Sequence, residues 1–276
     1  MKKILAIVSL IFAFASTSAI ANDYKCDKKF IFFPGGPEGG PFGTIVYNGA
    51  VAAAEHTGCD VDYYWSQWNS EIMIKQFKEA VALQPDGIAI YGFPGDAAMR
   101  PIIKEAREKG IVITTMNTPL PDLEAELKTS GFGYAGADLF DAGFNLGKKG
   151  VEVCGLKAGD KAFIWGLASM PNRGERTKGA IAGVESMGVK VVYQEIPDNV
   201  NSDASQGTPM YVATYSANPD IKMAITDHGG LTASLPTYMK AAGHGTEAVC
   251  GAGFDLSGPI VDGINSGYID VVIDQQ

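Results

Sequence analysis

The most constraining feature of this sequence is a strand, glycine loop and helix in residues 28–44, KKFIFFPGGPEGGPFGT. Four consecutive apolar residues, 30–33, predict a strand that is buried on both faces. The strand stops at Pro34, a loop with five glycines follows, and a helical spacing of apolar residues begins at Ile45. Such a unit opens a doubly wound α/β domain, in which ligands bind beyond the carboxyl ends of the strands.

The alternation of short apolar strands with helices continues along the rest of the chain. Ten strands are predicted in two series of five, at residues 30–33, 61–65, 87–91, 111–116, 132–135, 162–165, 189–194, 222–226, 248–252 and 269–273. Strands that alternate with helices predict parallel sheets with right-handed crossovers. We therefore expect an α/β fold of two doubly wound parallel-sheet lobes, residues 22–137 and 138–276, hinged near residues 136–139.

The first 21 residues have the pattern of a cleavable signal peptide. Lys2 and Lys3 precede an apolar run at residues 4–15, and Ala19-Ile20-Ala21 is a small-x-small cleavage site. The apolar run is too short to span a bilayer, so a membrane anchor is the weaker interpretation. The sequence predicts export to the periplasm, a mature chain that begins at Asn22, and no membrane insertion of that chain.

The charge of the mature chain restricts its partners. Without Lys2 and Lys3, the 22 basic residues fall to 20 against 31 acidic ones, a net charge of −11. A charge this negative argues against nucleic acid or an anionic membrane surface as a partner.

The four cysteines permit disulfides in an exported chain. Cys26 and Cys59 precede the first and second predicted strands. Neighbouring parallel strands would bring those two starts together, so a Cys26–Cys59 bridge is predicted. Cys154 and Cys250 are left open, as either a second bridge or two buried thiols.

Catalytic and metal-binding patterns are scarce. The three histidines, His56, His228 and His244, lie in separate units, and no H-x-x-x-H, C-x-x-C or G-x-S-x-G pattern is present. The sequence therefore predicts neither an enzyme nor a bound metal or cofactor.

Two glycine-rich stretches invite comparison with nucleotide-binding loops. Residues 131–136, GFGYAG, match G-x-G-x-x-G, but a polar segment precedes them and they contain a strand-like stretch themselves. A glycine-lined edge strand at the hinge is the favoured interpretation. The GGPEGG loop at 35–40 lacks the Lys-Ser/Thr of a phosphate-binding loop, and its glycines suit close backbone approach or a flexible turn.

Polar and aromatic side chains follow the carboxyl ends of successive predicted strands. They are Phe42, Trp65, Trp68, Phe93, Asn117, Thr118, Trp165, Arg173, Arg176, Asn201, Ser202, Asp203, Asp227, His228, Asp255 and Gln275. Carboxylate, amide and guanidinium groups beside flat aromatic rings suit a carbohydrate, which offers hydroxyls at its edges and C–H faces for stacking.

Each candidate also has a purely structural interpretation. Asp203 and Asp255 precede helices and are possible N-caps. Arg176 is a possible solvated helix residue, and Trp65 and Trp165 are possible core residues. The coincidence of many polar groups at strand ends, rather than any one of them, indicates a binding site.

Several stretches of the mature chain resemble one family. They are GPFGTIVYNGA at 40–50, PDGIAIYGFPGDA at 85–97, YAGADLFDAG at 134–143, ERTKG at 175–179, GFDLS at 253–257 and YIDVVIDQQ at 268–276. The chain resembles the periplasmic sugar-binding proteins of the ribose and galactose type, which receive substrates for ABC importers. The resemblance also implies that the family chain continues beyond Gln276, so the first lobe is expected to be incomplete here.

The resemblance implies roles for the strongest ligand-binding candidates. Phe42 would lie against one face of a sugar, and Arg176 matches the arginine of the second lobe that binds it. Asp255 and Gln275 match ligand contacts on the hinge side, and either Asp227 or His228 matches another. The remaining two are Asn117 and Thr118, which stand where relatives place Asp and Arg. The weaker candidates are Trp65, Phe93, Trp165, Arg173 and Asp203.

Those two departures indicate a pentose other than ribose, a hexose or a polyol. The expected function is capture of that solute by domain closure and its delivery to a membrane permease. The alternatives are a secreted sugar-modifying enzyme that uses Asp227 and His228 as acid and base, and a ligand sensor for a membrane chemoreceptor or kinase.

Overall fold

The structure is a computed structural model that describes residues 26–275. The predicted signal peptide therefore lies outside the described residues. Within residues 26–275, no helix combines the length and the apolar character that a membrane crossing requires.

Two five-stranded parallel sheets form the framework of the two lobes. The strands of the first sheet are β1 (Lys29–Phe32), β2 (Asp60–Tyr63), β3 (Gly87–Ile90), β4 (Val112–Met116) and β5 (Gly133–Ala135). Those of the second sheet are β6 (Lys161–Gly166), β7 (Lys190–Glu195), β8 (Ile221–Thr226), β9 (Cys250–Phe254) and β10 (Val271–Ile273). The orders are β2-β1-β3-β4-β5 and β7-β6-β8-β9-β10, so the second lobe repeats the topology of the first. The predicted α/β fold with two doubly wound sheets is confirmed.

Within residues 26–275, ten α-helices connect the strands. They are α1 (Pro41–Thr57), α2 (Ser70–Ala82), α3 (Gly95–Glu108), α4 (Pro121–Leu127), α5 (Leu139–Val153), α6 (Glu175–Glu185), α7 (Asp198–Ser202), α8 (Thr208–Ala217), α9 (Gly229–Ala241) and α10 (Gly258–Asn265). The short helices α4 and α7 carry too few turns for a hydrophobic period, which is why the sequence pattern missed them.

The core of the first lobe lies on one side of its sheet. Ile31 and Phe33 are fully buried there, among side chains of α2 and α3. Phe30 and Phe32 are only partly buried, and with Ala50 of α1 they line an apolar groove of about 340 Å³ on the opposite side. The expectation that this strand is buried on both faces was therefore wrong: one face packs against helices and the other borders the groove.

Glycines allow α5 and α6 of the second lobe to pack backbone against backbone. A Cβ atom at Gly143 or Gly147 of α5 would collide with carbonyl oxygens of α6, those of Arg176 and Ala180. Gly179 of α6 faces the carbonyl oxygen of Phe140 in the same way. This close contact fixes the first turn of α6, which carries Arg176, against the rest of the lobe.

Asn117 and Asp255 occupy equivalent places in the two lobes. Each directly follows the fourth strand of its lobe and has a left-handed φ, 56° for Asn117 and 75° for Asp255. Their backbone N–H groups donate to the carbonyl oxygens of Ala135 and Ile273 in the fifth strands, at 3.0 and 2.8 Å. Left-handed backbone is uncommon away from glycine, although Asn and Asp tolerate it best. The chain thus turns sharply at both places where it leaves a fourth strand, and both turns face the space between the lobes.

Disulfide bonds join Cys26 to Cys59 and Cys154 to Cys250. The first is the predicted bridge, and Lys29 of β1 pairs with Asp60 of β2 directly beside it. The second bridge joins Cys154, which follows α5, to Cys250, which begins β9. It decides between the bridge and the two buried thiols that the sequence left open.

The GFGYAG stretch forms an edge strand rather than a nucleotide-binding loop. Gly131 has a φ of 87° after a short 3₁₀ helix, and residues 133–135 are β5 at the edge of the first sheet. The strand therefore lies inside the motif, which is the interpretation that the sequence favoured.

Candidate functional site

A cavity of about 300 Å³ lies between the lobes at the carboxyl ends of both sheets. The first lobe contributes Pro37, Gly40, Pro41, Phe42, Gly43, Trp68, Phe93 and Asn117. The second-lobe strand ends and loops contribute Leu167, Met170, Arg173, Arg176, residues 201–205, His228, Gly230, Ala233, Ser234, Asp255 and Gln275. A volume near 300 Å³ is at the lower end of small-molecule sites, so it suits a ligand of monosaccharide size.

Gln275 is the centre of the polar network at the hinge side of this cavity. Its Oε1 accepts hydrogen bonds from Asn117 Nδ2 at 3.1 Å and from Arg176 Nη1 at 2.8 Å. Its Nε2 donates to Asp255 Oδ1. One amide thus connects the end of β4 in the first lobe with α6 and the end of β9 in the second.

Arg176 and Arg173 share a buried carboxylate behind the cavity wall. Arg173 Nη2 pairs with Asp227 Oδ2, and Arg176 Nη2 donates to the Asp227 carbonyl oxygen at 2.6 Å. Thr177 Oγ1 donates to Asp227 Oδ1 at 3.0 Å. Burial, and then the neighbouring Arg173, lower the pKa of Arg176 to about 10, so the guanidinium remains charged at neutral pH. Asp227 therefore orients both arginines.

Arg176 also stacks on an aromatic ring. Its guanidinium carbon lies 4.2 Å from the centroid of the Phe254 ring. This cation–π contact, together with the bonds to Asp227 and Gln275, leaves the guanidinium a single orientation, with one edge toward the cavity.

Asp255 caps a helix across the sheet as well as facing the cavity. Its Oδ2 accepts from the backbone N–H of Gly229, the first residue of α9, at 2.8 Å. The sequence allowed a capping role at α10, whereas the structure places that role at α9. Burial raises the pKa of Asp255, and Arg176 and the hydrogen bonds from Gln275 and Gly229 oppose the rise.

His228 presents an unpartnered nitrogen in the cavity wall. It precedes α9, and its Nε2 is shielded from solvent with no hydrogen-bond partner within the described residues. Burial lowers its pKa to about 3, so the ring is neutral at pH 7 and offers one donor and one acceptor. Nη1 of Arg173 is likewise buried without a partner there, so both side chains have capacity left for a ligand.

Aromatic rings form the first-lobe wall. Phe42 and Phe93 lie 6.1 and 5.4 Å from Trp68 between ring centroids. Gly35 and Gly36 make this possible, because a Cβ atom at either would clash with the Trp68 indole. The glycine loop thus allows a group to lie close to its backbone, as the sequence suggested, and that group is the Trp68 side chain of the protein itself.

Asp203 lies at the outer rim of the cavity. Its Oδ1 accepts from the backbone N–H of Ser205 at 3.0 Å, which caps the short 3₁₀ helix that follows. The capping role that the sequence allowed is therefore present, and Asp203 borders the cavity as well.

Four predicted ligand contacts do not line the cavity. Thr118 is fully buried in the first lobe, where its carbonyl oxygen accepts from Gly92, and Asp227 lies behind the arginines that it orients. Trp165 is fully buried between Phe163 and Tyr238.

Trp65 is the fourth of these residues. It packs against Tyr47 on α1, at 5.5 Å between ring centroids. Core packing, the structural alternative for both tryptophans, accounts for Trp165, whereas Trp65 is only partly buried and packs against α1 outside the cavity.

The cavity also contains residues that the sequence analysis passed over. Leu167 and Met170 lie in the loop after β6, and Ser234 lies on α9. Met170 packs against the cores of both lobes. Apolar loop residues show no periodic pattern in the sequence. Leu167 could still have been predicted as a cavity residue, because it directly follows a strand.

The cavity suits an uncharged polar ligand. The charges around it are of both signs: Asp227 pairs with Arg173 and Arg176 from behind the cavity wall, and the carboxylates of Asp203 and Asp255 border the cavity. Within residues 26–275, no group of three or more His, Cys, Asp or Glu residues could hold a metal ion. The site can therefore bind hydroxyls through amide, imidazole and guanidinium groups beside aromatic rings.

Comparisons with known proteins identify relatives of this chain. The D-ribose/D-allose-binding protein of Pseudomonas aeruginosa is 24% identical over 190 residues, which are 66% of this chain and 56% of the relative. The chain thus matches a little over half of that protein's length.

Solved structures share the fold at low identity. An ABC transporter periplasmic solute-binding protein from Actinobacillus succinogenes 130z with bound D-allose has a TM-score of 0.76 at 21% identity, with 90% of this chain and 85% of that one covered. A solute-binding protein from Burkholderia graminis C4D1M in complex with D-arabinose has a TM-score of 0.75 at 20% identity, with 91% and 94% covered. The family of periplasmic binding protein domains matches residues 31–276, and this chain belongs to it.

Proposed function

We propose that this chain is an exported solute-binding protein that captures a monosaccharide or polyol between its lobes and delivers it to the membrane permease of an ABC importer. The observation that supports this most is the polar network around Gln275. It brings Asn117 of one lobe and Arg176 and Asp255 of the other to the floor of a single cavity. Aromatic side chains of Phe42, Trp68 and Phe93 form the adjacent wall.

The chemistry of the cavity supports a neutral, hydroxyl-rich ligand. Neighbouring carboxylates neutralise its arginines, and its unpartnered Arg173 and His228 nitrogens are hydrogen-bonding groups that a sugar hydroxyl satisfies. The relatives named above carry ribose, allose or arabinose in their names, which supports a pentose, hexose or related polyol. The resemblance implies an Asp at the position of Asn117, and a carboxylate only accepts hydrogen bonds. The neutral amide of Asn117 both donates and accepts, and this difference favours a ligand other than ribose.

Capture follows from closure of the hinge. A ligand that touches Asn117 on one lobe and Arg176 on the other has more contacts in the closed form than in the open one. That difference in affinity shifts the equilibrium toward the closed form, which then docks on the permease. The proposal includes export directed by residues 1–21 as a cleavable signal peptide. We therefore expect the periplasmic protein to begin at Asn22.

Calorimetry of the full-length exported protein against pentoses, hexoses and polyols tests the proposal. We expect at least one tight ligand, and a Kd near micromolar corresponds to about −8 kcal/mol. Small-angle scattering should show a smaller radius of gyration with that ligand. Absence of binding across the panel, or recovery of a chemically altered sugar, would refute the proposed function.

A further inference from the structure

A second contact between the lobes lies outside the cavity lining. Asn172 belongs to the second-lobe loop between β6 and α6, and its Nδ2 donates to Asp96 Oδ2 at 2.9 Å. The same nitrogen donates to the carbonyl oxygen of Pro119 at 3.1 Å. Asp96 lies in the first turn of α3 and Pro119 follows β4, so one second-lobe side chain reaches two first-lobe elements.

Both partners of this contact are held in place. The other oxygen of Asp96, Oδ1, accepts from the backbone N–H of Leu123 in α4 at 2.9 Å. Asn172 has a left-handed φ of 55°, which Asn tolerates better than most residues.

The adjoining backbone is also fitted to close approach. Pro171 packs against Gly95, where an added Cβ atom would lie 2.9 Å from the Pro171 Cβ. Gly95 also has a φ of 81°, so both its space and its conformation favour glycine. The Pro171-Asn172 turn thus fits the start of α3 closely.

The same turn carries cavity residues on either side of Asn172. Met170 and Arg173 both line the cavity, and Met170 packs against the cores of both lobes. Fixing Asn172 on the first lobe therefore fixes the backbone that presents these two side chains.

We propose that Asn172 is a positioning residue for ligand binding. Its bonds to Asp96 and Pro119 form when the lobes close, and they set the loop that presents Met170 and Arg173 to the ligand. This inference rests on the proposed function, because it assumes closure around a solute.

An exchange of carboxylate and amide tests this contact. Asn172→Asp places a carboxylate against Asp96 and removes the donor, so affinity for the best ligand of the panel should fall about tenfold or more. Adding Asp96→Asn restores the bond between positions 96 and 172 with donor and acceptor exchanged, but the bond to the carbonyl oxygen of Pro119 stays lost. The double variant should therefore regain part of the affinity. Asn48→Asp, at an exposed position of α1, is the matched control and should bind like the wild type.

The outcomes separate this inference from the proposed function. Unchanged affinity in Asn172→Asp, or a double variant as weak as the single one, overturns the positioning role. If the wild type binds no sugar or polyol, the proposed function has failed. The positioning role then fails with it, because the bonds of Asn172 are assigned to closure around a solute.

Discussion

Gln275 and Asn117 join the two lobes through one side-chain hydrogen bond, 3.1 Å from Asn117 Nδ2 to Gln275 Oε1. The same Gln275 amide bonds Arg176 and Asp255, so three separate chain segments depend on its orientation. Because a Gln amide has a donor end and an acceptor end, these partners fix which end faces which lobe. Under the proposed function, closure and ligand recognition would thus share the Gln275 amide.

Gln275→Glu should disrupt that group with little change in shape. Oε1 can still accept from Asn117 and Arg176, but the donor to Asp255 becomes a carboxylate oxygen, and two carboxylates then face each other. We expect affinity at pH 7.5 to fall at least tenfold and to recover in part at pH 5, where one proton can bridge the pair. Calorimetry at both pH values measures this.

The control for this variant is Gln84→Glu, the same chemical change at an exposed position after α2. It should leave affinity unchanged at both pH values. Equal affinities of Gln275→Glu and the wild type would show that the amide donor contributes nothing to binding.

The buried imidazole of His228 predicts a loss of stability in acid. Its folded pKa is lowered to about 3, below the ordinary value of 6.5, so the unfolded chain binds a proton that the folded one rejects. The stabilising effect of the neutral ring is fully present above about pH 6.5 and is lost as the pH falls toward 3, by up to about 1.4 kcal/mol per pH unit.

Urea denaturation between pH 7 and pH 4 checks this expectation. His228→Gln should flatten the dependence of the free energy of unfolding on pH, because the glutamine does not titrate. His56→Gln, at an exposed position in the last turn of α1, is the matched control and should retain the wild-type slope. Parallel slopes for all three proteins would contradict the role given to His228.

The glycine contact between α5 and α6 predicts opposite effects for two similar substitutions. Gly143→Ala should lower the free energy of unfolding by about 1–3 kcal/mol, because its methyl group meets the backbone of Arg176. Gly49→Ala in α1 has open space around the new methyl group and should raise it by about 0.5–1 kcal/mol. The packing argument is refuted if denaturation curves show that both substitutions change the free energy of unfolding in the same direction.

The sequence was sufficient for the fold because the strands and the longer helices carry their own local apolar patterns. It also indicated Phe42, Arg176 and Asp255 as cavity residues, since the loops and helix N-termini that follow parallel strands meet at one edge of a sheet. It could not separate Trp65 from Trp68, because both follow the same strand and only tertiary packing sends one toward α1 and the other to the cavity.

The network around Gln275 was also beyond the reach of local patterns. Its partners Asn117 and Arg176 are 158 and 99 residues away in the chain. The contact of Asn172 with Asp96 spans 76 residues and joins a loop of the second lobe to the first turn of α3. Such contacts depend on how the lobes meet, which no window of the sequence encodes.

Arg176→Ala should weaken binding and also destabilise the second lobe. A solvated helix residue, the structural alternative that the sequence allowed for Arg176, would affect the fold little when removed, but the structure shows a buried guanidinium that donates to Asp227 and Gln275. Asp227 keeps Arg173 and Thr177, so we expect the free energy of unfolding to fall by about 1–3 kcal/mol rather than by the full effect of an orphaned charge. Affinity should fall at least a hundredfold, because Gln275 loses the bond that orients it. Arg107→Ala, at the partly buried end of α3 and outside the cavity lining, is the control for affinity alone, because it also loses hydrogen bonds to Ser130. An Arg176→Ala protein with control-like affinity would remove Arg176 from the site.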